Sequence, residues 1–282
     1  MVIIKSASHL RKWIDAQSKT SEMIGFVPTM GALHAGHISL ISSCKKESAL
    51  TVCSIFVNPT QFNDPADFDK YPSTLEADID RLEAASCDLL FLPSVDEMYP
   101  EGWGKAKHYE LGILEMILEG AFRPGHFQGV CLVVEKLLEI VQPGRLYLGQ
   151  KDYQQCMVIA RLIDLMDLSG NIELRVCPTL RESDGLAMSS RNMRLNAEER
   201  EKAIIISRVL KMIKEQIIPG DISSLISSAE FILADEGFRV DYIIVADKED
   251  LSEVNRWDGK QKLVALVAAY LNDVRLIDNM IL

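Results

Sequence analysis

Residues 23–40, MIGFVPTMGALHAGHISL, contain the strand, turn and helix around which the rest of the sequence is organised. The apolar run at 23–27 predicts a buried strand, which we expect to end at Pro28 because proline cannot donate to a sheet ladder. Gly31 permits a tight turn, and a helical pattern begins near Leu33. A strand, a glycine-containing turn and a helix N-terminus together form the arrangement that binds phosphates in α/β proteins.

Two histidines stand at the start of this predicted helix. His34 and His37 are three residues apart and share a helix face, while Ala35 and Gly36 leave the backbone open to a ligand. Two imidazoles beside a helix N-terminus would stabilise negative charge that develops on a phosphate. Two alternatives stay open: zinc ligation together with Cys44, and polar packing with a purely structural role.

The composition is that of an ordinary globular protein. The chain has 282 residues, 48% of them apolar and 25% charged, which is enough for one large domain and a smaller one. Its formal net charge of −11, with no basic run longer than a pair, argues against a nucleic-acid partner. No signal peptide pattern opens the sequence and no apolar run approaches the roughly 20 residues that span a bilayer, so we expect no membrane partner. Six scattered cysteines without a CxxC motif indicate free thiols and a cytoplasmic location.

Strand-like and helical patterns alternate through the first two thirds of the chain. This alternation predicts an α/β fold class, with a Rossmann-like parallel sheet and helices on both faces. After residue 196 two helical patterns precede the strand-like runs, which predicts a smaller C-terminal α+β domain. We place the domains at residues 1–179 and 180–282, the second being a lid domain whose serine-rich loop forms the hinge.

Several shorter patterns predict local structure. Ser73 with Glu76, and Asn196 with Glu199, have the spacing of capping boxes. The polar stretch 63–72 follows the strand-like run 49–57 and is either a mobile loop that acts as a lid or an ordinary solvated connection.

Polar side chains follow other predicted strands and turns. Lys151, beside Asp152 as a possible N-cap, would place positive charge on a phosphate or would simply lie on the surface. Two hydroxyls and a guanidinium in the loop 185–192 form a credible phosphate clamp. Arg123 and His126 either reach the site or cap a helix, and the sequence does not decide between these roles.

Three sequence blocks then resemble one family. PTMGALHAGH (28–37), GQKDYQQ (149–155) and GLAMSSRN (185–192) occur in the order found in the pantothenate synthetase family, which belongs to the HxGH nucleotidyltransferase superfamily. IFVNPTQF (55–62), YPST (71–74) and RPGHFQGV (123–130) add to the resemblance. HxGH alone would indicate only the superfamily, whereas the three blocks together are highly specific. The C-terminal hundred residues add little.

The resemblance implies an ATP-dependent ligase that condenses pantoate with β-alanine. Pantoate's carboxylate would attack the α-phosphorus of ATP to give pantoyl adenylate and pyrophosphate, and β-alanine's amine would then release AMP. The resemblance also implies Mg²⁺ on the phosphates and a homodimer.

The family's site residues transfer to matching positions of this sequence. The catalytic residues implied are His34, His37, Lys151 and Arg191, with His37 as a proton donor. Gln61 and Gln155 match the residues that hold pantoate and β-alanine, and Asp78 is a weaker match for a metal ligand. The positions implied to line ATP are Met30, Gly31, Ala32, Leu33, His34, Ala35, Gly36, His37, Gly149, Gln150, Lys151, Asp152, Leu180, Met188, Ser189, Ser190 and Arg191.

Three other functions compete with this interpretation. A nucleotidyltransferase with a phosphorylated acceptor would need basic residues near Gln61, where the sequence is acidic. A nucleotide sensor without catalysis is disfavoured because His34, His37, Lys151 and Arg191 are intact. An aminoacyl-tRNA synthetase is disfavoured by the acidic balance and the lack of room for an anticodon-binding domain.

Overall fold

The structure is a computed structural model that describes residues 1–17, 24–63, 65–103 and 107–282, without the side chains of Pro65 and Ala66. The chain forms two compact units. The first consists of Met1–Gly149 and Gln154–Pro178, and the second of Gln150–Tyr153 and Thr179–Leu282. Met23, the predicted first residue of the first motif strand, lies outside the described residues.

The first unit is built on a six-stranded parallel sheet. Its strands are β1 (Val2–Ile4), β2 (Ile24–Thr29), β3 (Leu50–Ile55), β4 (Leu89–Phe91), β5 (Arg145–Gly149) and β6 (Glu173–Cys177). They lie in the order β1-β4-β3-β2-β5-β6, and every pairing is parallel. The three-residue β1 was not predicted, because so short an apolar run carries no periodicity.

Helices cover both faces of this sheet, which confirms the predicted fold class. The helices in this part of the chain are α1 (Ala7–Ala16), α2 (Ala35–Glu47), α3 (Pro65–Asp69), α4 (Leu75–Ala84), α5 (Val95–Met98), α6 (Glu119–Phe122), α7 (His126–Val141) and α8 (Tyr153–Leu165). Neighbouring residues of one strand enter different cores: Phe26 packs with residues of α1, α7 and α8, while Val27 packs with residues of α2 and α4. Gly25 lets α2 approach β2 closely, since a Cβ there would lie 2.3 Å from the sulfur of Cys44.

The expectation that β2 ends at Pro28 was wrong. The strand continues to Thr29, and Pro28 is aligned with Ser54 of β3. The carbonyl of Ile24 accepts from Gly144 on the β5 side, while that of Thr29 accepts from Phe56 on the β3 side. Because the backbone polar groups of successive residues point alternately to the two flanking strands, the nitrogen of Pro28 faces the β5 side. Pairing with β5 is already over at Phe26, so no ladder hydrogen bond is lost.

The second unit has the predicted α+β composition. A three-stranded antiparallel sheet has the order β11 (Val274–Ile281), β10 (Leu263–Leu271), β8 (Arg239–Asp247), and two shorter strands, β7 (Gly220–Asp221) and β9 (Arg256–Trp257), pair separately. Apolar side chains of the helices and of this sheet form one core. The α-helices of this unit are α9 (Ala197–Ala203), α10 (Ile205–Gln216) and α11 (Ser223–Asp235).

Local predictions had mixed outcomes. The capping box of Asn196 and Glu199 is formed at the start of α9. The box predicted for Ser73 and Glu76 was wrong, because Thr74 is the N-cap of α4, and its hydroxyl donates to Asp78 and makes no capping bond with a backbone N–H. The stretch 63–72 contains the short helix α3. Among the described residues, no helix is long and apolar enough to cross a membrane.

Candidate active site

The two strands that carry the first two motifs are neighbours in the sheet. β2 lies between β3 and β5, so the strand order reverses between β2 and β5. In open α/β sheets, ligands bind beyond the carboxyl ends of the strands at such a reversal. β2 runs into the turn before His34, and β5 ends at Gly149.

The turn after β2 is held by a buried carboxylate. Asp78 of α4 is 1% exposed, and its two oxygens accept from the backbone N–H groups of Ala32 and Leu33, both at 2.8 Å. Gly31 and Ala32 have φ values of +81° and +48°, so the turn has a left-handed backbone that the carboxylate stabilises. Asp78 also accepts from the hydroxyl of Thr74 at 3.0 Å. These contacts favour a positioning role for Asp78 over the metal role that the resemblance implied.

His34 and His37 form a pair at the start of α2. His34 is the N-cap and accepts from the N–H of Gly36 at Nδ1 (3.2 Å), while His37 accepts from the N–H of His34 at Nδ1 (3.3 Å). Their ring centroids are 4.0 Å apart. A nitrogen that accepts carries no proton, so this hydrogen-bond pattern assigns the proton of each ring to Nε2. Two Nε2–H donors thus stand at a helix N-terminus.

Gln61 lies at the end of a short 3-10 helix, Pro59–Gln61, that follows β3. Its side-chain carbonyl accepts from Asn58 (3.1 Å), and its amide nitrogen lies 3.0 Å from the sulfur of Met30. Asn58 is 1% exposed and accepts from the hydroxyl of Tyr99 at 2.8 Å. The structure therefore brings Gln61 and Met30, two predicted site residues, into contact and supports Gln61 through a buried asparagine.

Neither Arg123 nor His126 is the N-cap of α7; Arg123 is instead the C-cap of α6, through its backbone N–H. The N-cap of α7 is Gly125, and no side chain caps it. The guanidinium of Arg123 donates to Nε2 of His126 at 3.1 Å, so His126 donates from Nδ1 to the backbone carbonyl of Gln61 at 2.7 Å. These residues hold the backbone of Gln61. The sequence left this role undecided because the contact spans 65 residues.

The two neighbouring glutamines of α8 have different environments. Gln154 is buried, and its amide nitrogen donates to the carbonyls of Leu114 and Ile117 at 2.8 and 2.9 Å. Its carbonyl oxygen accepts from the N–H of Glu119 at 3.0 Å. Gln155, the predicted pantoate residue, is half-buried. The structure thus separates a glutamine that is fully engaged with the backbone from one that is partly exposed.

In the second unit, residues Gln150–Asp152 form a 3-10 helix. The carbonyls of Gln150 and Lys151 accept from the side-chain amide of Asn279 at 2.9 and 2.8 Å. Nζ of Lys151 lies 3.8 Å from a carboxylate oxygen of Asp152. Asn279 belongs to β11 and was not singled out in the sequence, because a contact across 128 residues leaves no local pattern.

The serine-rich segment is more ordered than a loop. Ser190–Arg194 form a 3-10 helix whose N-cap, Ser189, accepts from the N–H of Arg191 at 3.3 Å. Before it, a tight turn pairs Arg181 with Ala187, and the carbonyl of Leu180 accepts from the N–H of Met188 at 3.0 Å. Ser190 is buried. The segment from Leu180 to Arg191 therefore has a defined backbone conformation, and Arg181 lies near its N-terminal end.

Metal ligation finds little support in the described parts of the chain. They contain no group of three or more histidine, cysteine, aspartate or glutamate side chains that suits a metal ion. Cys44, the third residue of the zinc alternative, is fully buried, and its sulfur lies 3.6 Å from the hydroxyl of Thr51. Both oxygens of Asp78 already accept backbone N–H groups.

Comparison with known proteins decides the family. The family model described as pantoate-beta-alanine ligase matches residues 2–281. The chain belongs to the pantoate–β-alanine ligase family. It is therefore an enzyme, a ligase of pantothenate biosynthesis, as the three sequence blocks predicted. The match also covers the C-terminal hundred residues, where the sequence motifs gave little signal.

Individual relatives agree with this family. A pantothenate synthetase of Cytophaga hutchinsonii is 42% identical over 287 residues, covering 100% of this chain and 99% of the relative. A crystal structure of pantothenate synthetase from Thermus thermophilus matches with a TM-score of 0.89 and 40% identity, covering 99% of both chains. The pantoate-beta-alanine ligase from Francisella tularensis, solved with beta-gamma ATP and β-alanine, matches with a TM-score of 0.80 and 38% identity, covering 100% of this chain and 97% of that one.

Proposed function

We propose that the enzyme condenses pantoate with β-alanine in two steps through a pantoyl-adenylate intermediate. In the first step a carboxylate oxygen of pantoate attacks the α-phosphorus of ATP, and the bond to the bridging oxygen of pyrophosphate breaks. In the second step the amine of β-alanine attacks the acyl carbon, AMP leaves with the bond electrons, and the amine loses a proton. The ATP and β-alanine of the Francisella tularensis structure support the choice of these two substrates.

The histidine pair at the start of α2 carries the proposal. Both rings accept at Nδ1, so both donate from Nε2, and donors aimed at the phosphates would stabilise the charge on departing pyrophosphate. The N-terminus of a 13-residue helix adds a positive dipole end to these donors. A proton from Nε2 of His37 would be available to the leaving group, which agrees with the proton-donor role that the resemblance implies.

The remaining site residues take roles that suit their chemistry. We assign Lys151 and Arg191 of the second unit to charge neutralisation on the phosphates, and residues 30–37, 149–152, Leu180 and 188–191 to ATP. Gln61 and Gln155 of the first unit are assigned to pantoate and β-alanine, because neutral amides can both donate to a carboxylate and bond hydroxyls. The contacts of the Gln61 side chain with Asn58 and Met30 hold it in a defined position, which supports this assignment.

A divalent cation enters this proposal only with the nucleotide. The described side chains do not fit a resident Mg²⁺ site, since Asp78 is engaged with the backbone and no cluster of ligands is formed. We therefore assign Mg²⁺ to the phosphate oxygens of ATP and route no step through it. The homodimer, the cytoplasmic location and the lid role of residues 180–282 stay predictions.

The experiment that tests the proposal is pyrophosphate exchange into ATP with pantoate present and β-alanine absent. We expect exchange by the wild-type enzyme that requires pantoate, and a loss of about 10²–10³-fold in His37→Ala, the usual effect of removing one such donor. The matched control is His9→Ala, which removes an exposed imidazole from α1 and should leave exchange unchanged.

The alternative outcomes separate the competing functions. Wild-type protein that binds ATP yet shows no exchange with pantoate would overturn the adenylate mechanism and favour a different acceptor or a sensing role. Full exchange in His37→Ala would leave the mechanism in place and remove His37 from it.

A further inference from the structure

Strand β11 contains a buried charge inside an apolar stripe. Val274, Leu276 and Met280 belong to or pack against the core of the second unit, and Asp278 occupies the same face of the strand because alternate residues share a face. Asp278 is 3% exposed. A carboxylate in such a position costs stability unless it is paired and hydrogen-bonded, so its partners reveal what it is for.

The partner of Asp278 is Arg181. The two oxygens of Asp278 accept from Nη2 and Nη1 of Arg181 at 3.0 and 2.6 Å, which is a bidentate pair. The same guanidinium donates to the carbonyl of Gly185 at 3.1 Å and to that of Asn279 at 3.2 Å. Arg181 therefore ties the turn 181–187, which leads into Met188 and the 3-10 helix of Arg191, to the C-terminal strand.

The next residue, Asn279, lies on the opposite face of β11 and holds the other segment. It is 2% exposed, and its amide nitrogen donates to the carbonyls of Gln150 and Lys151. Its side-chain oxygen accepts from the amide of Gln150 at 3.1 Å. Both polar atoms of this side chain are thus directed at the segment that carries Lys151.

We propose that Asp278 and Asn279 are positioning residues for nucleotide binding, and that β11 aligns the two ATP segments of the second unit. Asn279 fixes the peptides of Gln150 and Lys151, and Asp278 acts through Arg181 on the segment 180–191. This inference rests on the proposed function only in taking ATP as the ligand of these segments. It gives the C-terminal strand, which carries none of the three sequence motifs, a role in substrate affinity.

A second, partly buried ion pair, which joins two strands of the same sheet, provides the control. Nε of Arg275, also on β11, donates to Asp241 of β8 at 2.8 Å, and these side chains are 14% and 7% exposed. Asp241 also accepts from Nη1 of Arg239 at 3.5 Å, so this pair joins strands of the sheet to one another. Asp278→Asn and Asp241→Asn thus make the same isosteric change to two arginine–carboxylate pairs of one sheet.

The measurement is binding of the non-hydrolysable analogue α,β-methylene-ATP by calorimetry, with thermal melting as a check on folding. We expect the Kd to rise about tenfold or more in Asp278→Asn and in Asn279→Ala, because each change removes or weakens the hydrogen bonds that hold one of the two segments in place. Asp241→Asn should lower the melting temperature to a similar extent as Asp278→Asn, with a Kd within about twofold of wild type. The KM for pantoate should stay within about twofold in all three variants.

Two results would overturn the inference. Equal loss of analogue binding in Asp241→Asn would mean that the sheet acts only through stability, and wild-type Kd values in Asp278→Asn and Asn279→Ala would mean that the contacts do not matter for the nucleotide. Asn279→Ala keeps the test decisive if Asp278→Asn fails to fold. Wild-type protein that binds the analogue but lacks pantoate-dependent exchange would refute the proposed function alone, whereas failure to bind the analogue would refute both.

Discussion

Two turns of this enzyme are each held by one side chain from a distant part of the chain, and the chemistry of the two is opposite. In the first unit, the carboxylate of Asp78 accepts from the N–H groups of Ala32 and Leu33. In the second unit, the amide of Asn279 donates to the carbonyls of Gln150 and Lys151. Asp78 therefore uses backbone donors that an anion would otherwise attract, whereas Asn279 does not compete for them.

This difference explains what each turn contributes. After β2, the carboxylate accepts from the N–H groups of the turn, so the donors proposed for an anion are Nε2 of His34 and His37 and the helix N-terminus. In the second turn the carbonyls of Gln150 and Lys151 accept from Asn279, and the positive charge proposed for the phosphates is that of Lys151. A buried acid beside a proposed phosphate site thus need not be a metal ligand, because it can instead shape the backbone that presents the other groups.

The largest effect expected is from removing the carboxylate of Asp78. Asp78→Ala removes the carboxylate that accepts from two backbone N–H groups of a left-handed turn, at a cost of about 1–3 kcal/mol for each lost hydrogen bond. We expect the free energy of unfolding in urea to fall by about 3–5 kcal/mol and pyrophosphate exchange to be lost. Asp80→Ala, an exposed acid on the same helix, is the control and should change the free energy by less than about 0.5 kcal/mol. If Asp78→Ala were as stable as wild type but needed a higher Mg²⁺ concentration for exchange, the metal role of Asp78 would regain support.

An intermediate effect is expected where α7 meets the segment of Gln61. A Cβ on Gly129 would lie 2.1 Å from the carbonyl oxygen of Thr60 and 2.7 Å from the nitrogen of Gln61. Gly129→Ala must displace this backbone, and we expect a destabilisation of about 2–3 kcal/mol together with a higher KM for pantoate. Gly170→Ala is the matched control, since a Cβ there meets nothing within 4 Å. An unchanged KM in Gly129→Ala would separate Gln61 from pantoate binding.

The smallest effect concerns the cysteines, all six of which lie in the first unit. Burial raises the pKa of Cys44 to about 11 and those of Cys87 and Cys131 to about 12. Because the thiolate is the reactive form, these thiols should not react with a disulfide reagent at pH 8 until the first unit opens. Half-buried Cys177 should react first, and Cys177→Ala should remove that phase. Fast reaction of a second thiol in Cys177→Ala would show that the first unit opens more readily than its packing implies.

The raised pKa values of these thiols also predict how the stability of the fold depends on pH in the alkaline range. Because the raised pKa values keep these groups protonated in the folded state, the unfolded state loses protons first as the pH rises above about 8.5. The free energy of unfolding is therefore unaffected by these thiols below that pH. Above it, we expect the free energy of unfolding to fall by about 1.4 kcal/mol per pH unit for each such thiol. Urea unfolding at pH 7.5 and pH 10, in wild type and in Cys87→Ala, measures this contribution.

Predictions from the sequence succeeded where the physical cause is local. Apolar periodicity identified the parallel sheet and its helices, and the three-residue spacing of His34 and His37 identified a pair that does lie in contact. The predictions failed where contacts with residues distant in the sequence determine the local structure. Whether Pro28 ends a strand depends on the extent of pairing with β5. The N-cap of α4 is Thr74, whose hydroxyl donates to the buried carboxylate of Asp78.

The supports of the candidate site were out of reach for the same reason. His126 contacts Gln61 across 65 residues, Asp78 contacts Ala32 across 46, and Asn279 contacts Gln150 across 129. A single sequence carries no periodicity over such distances. The family motifs name the groups that are proposed to meet substrate, and the structure adds the buried residues that hold those groups in place.

The separation of Asn279 and Lys151 in the sequence also determines when their contact can form during synthesis of the chain. A ribosome that adds about 5–20 residues per second needs roughly 6–26 s to pass from Lys151 to Asn279, which are 128 residues apart. Asp78 follows Ala32 by 46 residues, or roughly 2–9 s. During synthesis the contacts of Asp78 with the histidine turn can therefore form early, whereas those of Asn279 with the lysine turn must wait until β11 has been made.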